Sequence, residues 1–196
     1  MAEAQLIPAP AIPAGPVEAA GKVKLAPRTG LTLLHVAARR GKTGALVEAV
    51  RAVYAVEPPL KPRLAEGRNV AFAWAGPDQW LAIAEERGAP VLERELKAAT
   101  SGLASIANQS DGRTVIAVSG PLARDLLSKH LPIDLHSRAF KPGDVALTYA
   151  SHVGVILWQT DAAPTFELAC TRSFADTLWR WLVQAGAEYG LGRSDR

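Results

Sequence analysis

The chain has a single cysteine, Cys170, among its 196 residues, so no disulfide can close within it. That fits a reducing compartment, and the expected location is the cytoplasm. Long apolar runs are also missing. A run such as Val153 to Trp158 is far short of the roughly 20 residues a helix needs to cross a bilayer. No cationic leader precedes an apolar core at the N-terminus, which argues against a secretory signal, and a membrane is not an expected partner. Neither sign of charge dominates. A formal net charge of +3 is too small to mark a nucleic-acid binder, and nucleic acid is not expected as a partner either.

What remains is the composition of an ordinary globular protein. Hydrophobic residues make up 48% and charged residues 21%, which argues against general disorder. The length suffices for one good core or two small ones. The charge is unevenly placed: residues 1–70 carry ten Lys or Arg against five Asp or Glu. Such a basic N-terminal third can steer an acidic partner or simply form a solvated surface.

The motifs that announce chemistry are incomplete or missing. Gly41-Lys42-Thr43 imitates the end of a phosphate-binding loop, but Val36 stands where that loop needs its first glycine. His35, His130, His136 and His152 show no zinc-ligand spacing with one another or with Cys170. Ser119 lacks the Gly-x-Ser-x-Gly elbow that exposes a nucleophile. No Gly-x-Gly-x-x-Gly follows a strand, so no dinucleotide site is expected. The sequence therefore predicts no catalytic, cofactor-binding or metal-binding residue in this chain. Cys170, in the strand-like Phe166–Cys170, reads as a buried inert thiol.

Periodicity predicts an α+β protein. Leu31–Val36, Val70–Trp74, Trp80–Ala84 and Leu103–Ala107 read as strands, with helices over Gly41–Ala55 and residues 89–99. The resulting β-α-β-β-α-β order is the ferredoxin-like signature. A second α+β unit follows, with strands at Thr114–Val118, Val145–Ala150, Val153–Gln159 and Thr165–Cys170. Its helices start at Gly120-Pro121 and near Ser173–Asp176. The expected division is an N-terminal arm over 1–27, a first unit over 28–109 and a second over 110–196.

Two features suit a partner. Pro8, Pro10, Pro13, Pro16 and Pro27 interrupt residues 1–27, and proline disfavours both helix and central strand. This stretch reads as an extended arm, ordered by lying across a partner, with Pro8 and Pro13 as contacts. In the last helix, Phe174, Leu178, Trp181, Leu182 and Ala185 fall on one face and Trp179 and Val183 on another. A helix apolar on two faces is deeply buried or shared, so Trp179 and Val183 are candidate partner contacts.

Several segments, taken in order, resemble the gamma subunit of heterotetrameric sarcosine oxidase. They are Trp74-Ala-Gly-Pro-Asp-Gln-Trp80, Ser119-Gly-Pro-Leu-Ala-Arg-Asp-Leu-Leu127, Pro132-Ile-Asp-Leu135, Phe140-Lys-Pro-Gly143, and Arg172-Ser-Phe-Ala-Asp176 ahead of Trp181-Leu182. The second unit is also similar, more distantly, to the glycine-cleavage aminomethyltransferases and to the first domain of a tRNA-modifying GTPase. That likeness rests on Gln109-Ser110, Ser119-Gly120-Pro121, Pro142-Gly143, Thr148 and Gly154.

The resemblance implies a non-catalytic subunit that stabilises a complex with alpha, beta and delta subunits, docking mainly on alpha. That complex oxidises sarcosine to glycine and hydrogen peroxide, and gives methylenetetrahydrofolate when tetrahydrofolate is present. FAD, FMN, NAD, zinc and tetrahydrofolate are then expected in the other subunits, with no cofactor in this chain. A departure supports this. Where the aminomethyltransferases carry a pair of aspartates, Leu157 and Trp158 stand here, and neither can shuttle a proton. The alternatives are a free-standing folate-binding methyltransferase-like protein and an RNA-modification accessory module.

Overall fold

The computed structural model describes residues 9–13, 15–85 and 87–192. In chain order these form β1 (Val17–Ala19), β2 (Val23–Arg28), β3 (Leu31–Ala38), α1 (Thr43–Tyr54), β4 (Leu64–Gly67), β5 (Val70–Gly76), β6 (Gln79–Glu85), α2 (Ala89–Ala99) and β7 (Ala104–Asn108). There follow β8 (Arg113–Ser119), α3 (Ala123–Ser128), β9 (Val145–Ala150), β10 (Val153–Asp161), β11 (Thr165–Thr171) and α4 (Ala175–Ala185). None of these helices is long and apolar enough to cross a membrane.

Two antiparallel sheets carry this mixed α/β fold. One runs β4-β5-β6-β3-β7 and the other β1-β2-β8-β11-β10-β9. Period-two alternation gives each sheet two apolar faces. In β3, Leu34 and Val36 turn toward Leu46 and Val50 of α1 and Leu92 and Leu96 of α2. Leu33, one residue away, joins Ala73, Leu81 and Ile83 against Val115, Ile156, Trp158 and Ala169 of the other sheet. On the far side, Ile116, Leu157, Phe166 and Leu168 pack beneath α3 and α4. The layers are therefore helices, sheet, sheet, helices, with the sheets face to face.

The helices form where apolar spacing and end chemistry agree. Leu46, Val50 and Tyr54 give α1 one buried stripe. Ala55 then turns left-handed at φ 55°, and its N–H donates to the Arg51 carbonyl, which closes the helix. In α2, Pro90 occupies the first turn, where its missing N–H costs nothing. Glu93 and Lys97 pair one turn apart on its outer side.

Two expectations need correction. Residues 1–27 are not all an extended arm, since Val17–Arg28 folds as the β1–β2 hairpin and β2 pairs with β8 from Lys24↔Ser119 to Arg28↔Val115. Val23, Leu25 and Ile12 are buried in the core beneath α3 and α4. Pro27 is accommodated because it lies past Leu25, where β1 stops covering the edge of β2.

Trp179 is the second correction. It is 5% exposed and packs in the protein's own core with Ala175, Leu178 and Leu182. Phe174, which helical spacing groups on one face with Leu178 and Leu182, is 52% exposed. It sits in a 3₁₀ turn, Arg172–Phe174, ahead of α4. That tighter winding takes it out of phase with the buried stripe.

Candidate functional site

The groups that resemble reactive machinery are each taken up locally. Cys170 lies on β11, fully buried beneath α4, and burial pushes its thiol up to about 11. It stays protonated and is a poor nucleophile. His35 Nε2 lies 3.0 Å from Gln79 Oε1. His130 Nδ1 lies 2.8 Å from Ser151 Oγ, and its ring stacks on Trp181 at 6.4 Å between centroids. His152 meets the same Trp181 edge-on at 6.3 Å. The His136 ring accepts the Arg138 backbone N–H at 3.2 Å. Thr43, the last residue of the incomplete phosphate-loop motif, donates to Asp78 at 2.8 Å. Among the described residues no group of three or more His, Cys, Asp or Glu is placed to hold a metal.

Leu157 and Trp158, which stand where the aminomethyltransferases carry acids by resemblance, are both buried on opposite faces of β10. Leu157 belongs to the core beneath α3 and α4, and Trp158 fills the space between the sheets. Next to them, Gln159 is fully buried. Its amide oxygen accepts from Arg124 at 3.0 Å, and its amide nitrogen donates to the Asp161 carbonyl at 2.5 Å. Both ends of this buried side chain are thus satisfied by the protein itself.

The polar groups with unusual surroundings lie elsewhere, around the arginines at one end of the sheet pair. Glu167 projects from the middle of β11 into the space between the sheets and is 7% exposed. Its carboxylate lies 2.7 Å from Arg28 Nε. That N–H does not point along a hydrogen bond, so the attraction there is mainly ionic. The same guanidinium binds Glu85 of β6. Burial pushes the Glu167 carboxyl above its ordinary value, and Arg28 only partly opposes this.

Arg28 also lines a concavity of about 240 Å³ with Arg113, Arg172, Ser110 and the segment Pro10–Ile12. Arg172 is tied down by donating to the Ala9 carbonyl. Arg113 differs: among the described residues its Nε, sealed from solvent, has no hydrogen-bond partner. Burial holds its guanidinium below the usual arginine value. Arg113 lines a second, shallower concavity of about 360 Å³ with Leu147, Tyr149 and Gly154.

Of the residues expected to meet a partner, Pro8 lies outside the described residues and Pro13 is exposed. Val183 is half-buried against the core. Trp179 offers a partner almost no surface. Sequence reasoning missed Arg28, Glu167 and Arg113. Glu167 had left one signal, an acid inside Phe166–Cys170, a segment otherwise apolar on both faces of its strand.

Comparison with known proteins supplies the context for this geometry. The family model described as the sarcosine oxidase, gamma subunit family matches residues 40–188. The sarcosine oxidase subunit gamma of Corynebacterium sp. (strain P-1) is 33% identical over 87% of this chain and 83% of its own length. A chain of the heterotetrameric sarcosine oxidase from Corynebacterium sp. U-96 superposes with a TM-score of 0.75 at 28% identity, covering 88% of this chain and 87% of that one. Glycine cleavage system aminomethyltransferase T from Bartonella henselae shares the fold at a TM-score of 0.59 and 16% identity, over 81% of this chain and 45% of that one. By the extent of the family match and the coverage of its relatives, the chain belongs to the sarcosine oxidase gamma subunit family.

Proposed function

We propose that this chain is the small structural subunit of a cytoplasmic, heterotetrameric sarcosine oxidase. It binds alpha, beta and delta subunits, mainly alpha, and stabilises a complex that demethylates sarcosine to glycine. In this reading FAD, FMN, NAD, zinc and tetrahydrofolate are held by the other chains. The first sheet with α1 and α2 serves as a ferredoxin-like unit with an added edge strand, β4. Pro8, Pro13 and Val183 contribute to the contact with alpha, and Trp179 acts from within the core.

The observation that carries the proposal is the near full-length likeness to a chain of a heterotetrameric sarcosine oxidase. The interior supports it. Leu157 and Trp158, which stand where the resemblance places the acids of the aminomethyltransferases, fill core space, so the fold serves packing there.

The test is to express a tagged form of this chain together with the alpha, beta and delta subunits and purify through the tag. The expected result is four chains in equal amounts, with flavin absorbance and sarcosine-dependent peroxide production. A colourless single chain would overturn the proposal.

A further inference from the structure

The inner face of the six-stranded sheet is not covered along its whole length. Strand registers place Ala117, Glu167, Trp158 and Val145 in one cross-strand row, and Val115, Ala169, Ile156 and Leu147 in the next. The other sheet seals most of these with Leu33, Ala73, Leu81 and Ile83. At Leu147 the cover ends, and that side chain is 44% exposed. Beyond it, Arg113 stands opposite Thr171 and Tyr149 opposite Gly154. Tyr149 is 62% exposed.

Three observations meet on this ledge. Leu147 and Tyr149 lie two residues apart on β9, so both project from one face and expose apolar area side by side. Gly154 keeps the floor bare although packing does not demand a glycine: an added Cβ would meet only the Tyr149 ring, at 3.9 Å. Arg113 reaches the ledge with a half-buried guanidinium that has no carboxylate within ion-pair distance among the described residues. A desolvated cation without a counter-charge is costly, and a carboxylate brought to it recovers that cost. The concavity is shallow, without the enclosing walls that bury most of a small ligand.

We propose that this ledge is a docking seat for a partner chain, receiving a segment in which an acidic side chain stands beside an apolar one. The carboxylate meets Arg113, and the apolar residue covers Leu147 and Tyr149. Charge complementarity with apolar flanks is the pattern of an interface anchor. The inference rests on the subunit reading above and deepens it by naming the surface.

The experiment uses the co-expressed complex. A photoreactive phenylalanine analogue is placed at Tyr149 and, as a control, at the exposed Val53 on α1. Crosslinked peptides are identified, and retention of the other subunits is measured for Arg113→Met and Tyr149→Ser. The expected result is a crosslink from position 149, and not from 53, to a partner peptide containing Asp or Glu. Both substitutions should weaken retention by about tenfold or more. The thermal midpoint of the isolated Arg113→Met chain should not fall, because the variant loses only an unpaired charge.

Wild-type retention in both variants, or a crosslink from 149 to a second copy of this chain, overturns this inference and leaves the subunit reading standing. Failure of the wild-type chain to bring down any subunit overturns both.

Discussion

Arg28 Nε lies 2.7 Å from Glu167 Oε1, although a third strand, β8, runs between the two that carry them. Because the same guanidinium holds Glu85 at the end of β6, one cation ties the two sheets together. Within its own sheet the cross-strand row of Glu167 carries no other charge: Ala117, Trp158 and Val145 flank it there. The carboxylate thus depends on Arg28 within an otherwise apolar layer.

That dependence has a pH signature. A carboxyl raised by burial keeps its proton longer in the folded chain than in the unfolded one. Its contribution to stability is complete below the ordinary carboxylate range and is lost as pH rises through the raised value. Glu167→Gln carries no titrating group, so the variant should gain stability relative to the wild type as pH rises through that window. Calorimetry of both proteins from about pH 4 to pH 8 reads the difference. Parallel curves would show that Glu167 titrates alike in both states.

Cys170 should resist thiol reagents for as long as the protein is folded. Its thiol is pushed up to about 11 by burial, and attack needs both the thiolate and access. Under native conditions labelling should follow the rate of unfolding, and in denaturant it should go to completion within the mixing experiment. Fast native labelling would mean that the layer beneath α4 opens readily.

Trp179 and Leu25 should behave as core residues. Trp179, on α4, is nearly buried and Leu25, on β2, fully buried in one shared core. Truncating Trp179 to Ala should cost about 3–5 kcal/mol and Leu25→Ala about 2–5 kcal/mol in denaturant unfolding of the isolated chain. A residue that serves only a partner would leave that midpoint in place. The Leu25 result also tests whether the N-terminal hairpin belongs to the folded unit.

Gly120 should not tolerate alanine. Its φ of +105° disfavours any side chain, and an added Cβ would sit 2.7 Å from the Lys22 carbonyl oxygen. That carbonyl accepts the Leu122 N–H at 3.0 Å, so a shift there also disturbs the entry to α3. A loss of about 1–3 kcal/mol is expected for Gly120→Ala, measured by the thermal midpoint. The same substitution at Gly44, where no atom crowds the added Cβ, serves as the comparison.

Much of this architecture was legible because apolar spacing and burial agree. Leu46, Val50 and Tyr54 announce α1, and the continuous apolar run Val153–Trp158 announces a strand buried on both faces. The N-terminal hairpin was hidden by its prolines, which read as breakers until β8 supplies the partner for β2. β4, Leu64–Gly67, was missed because a four-residue edge strand buries too little to show alternation. In α4 the stripe Ala175, Leu178, Trp179 and Leu182 was obscured by Phe174, whose 3₁₀ turn shifts its phase. The arginine ledge left no trace in the sequence, since Arg113 only acquires its setting when Thr171, Gly154 and Tyr149 are folded beside it.

The pairing of β2 with β8 also sets an order of events for a chain leaving the ribosome. The five-stranded sheet is built from Leu31 to Asn108 without interruption, so it can close as soon as β7 emerges. β2, made before any of it, must wait with its edge unpaired while that whole sheet is synthesised, because its neighbour begins only at Arg113. The β1–β2 hairpin is therefore made before the five-stranded sheet but fixed after it, and a ribosome stalled before β8 would carry a folded sheet with the edge of β2 still unpaired.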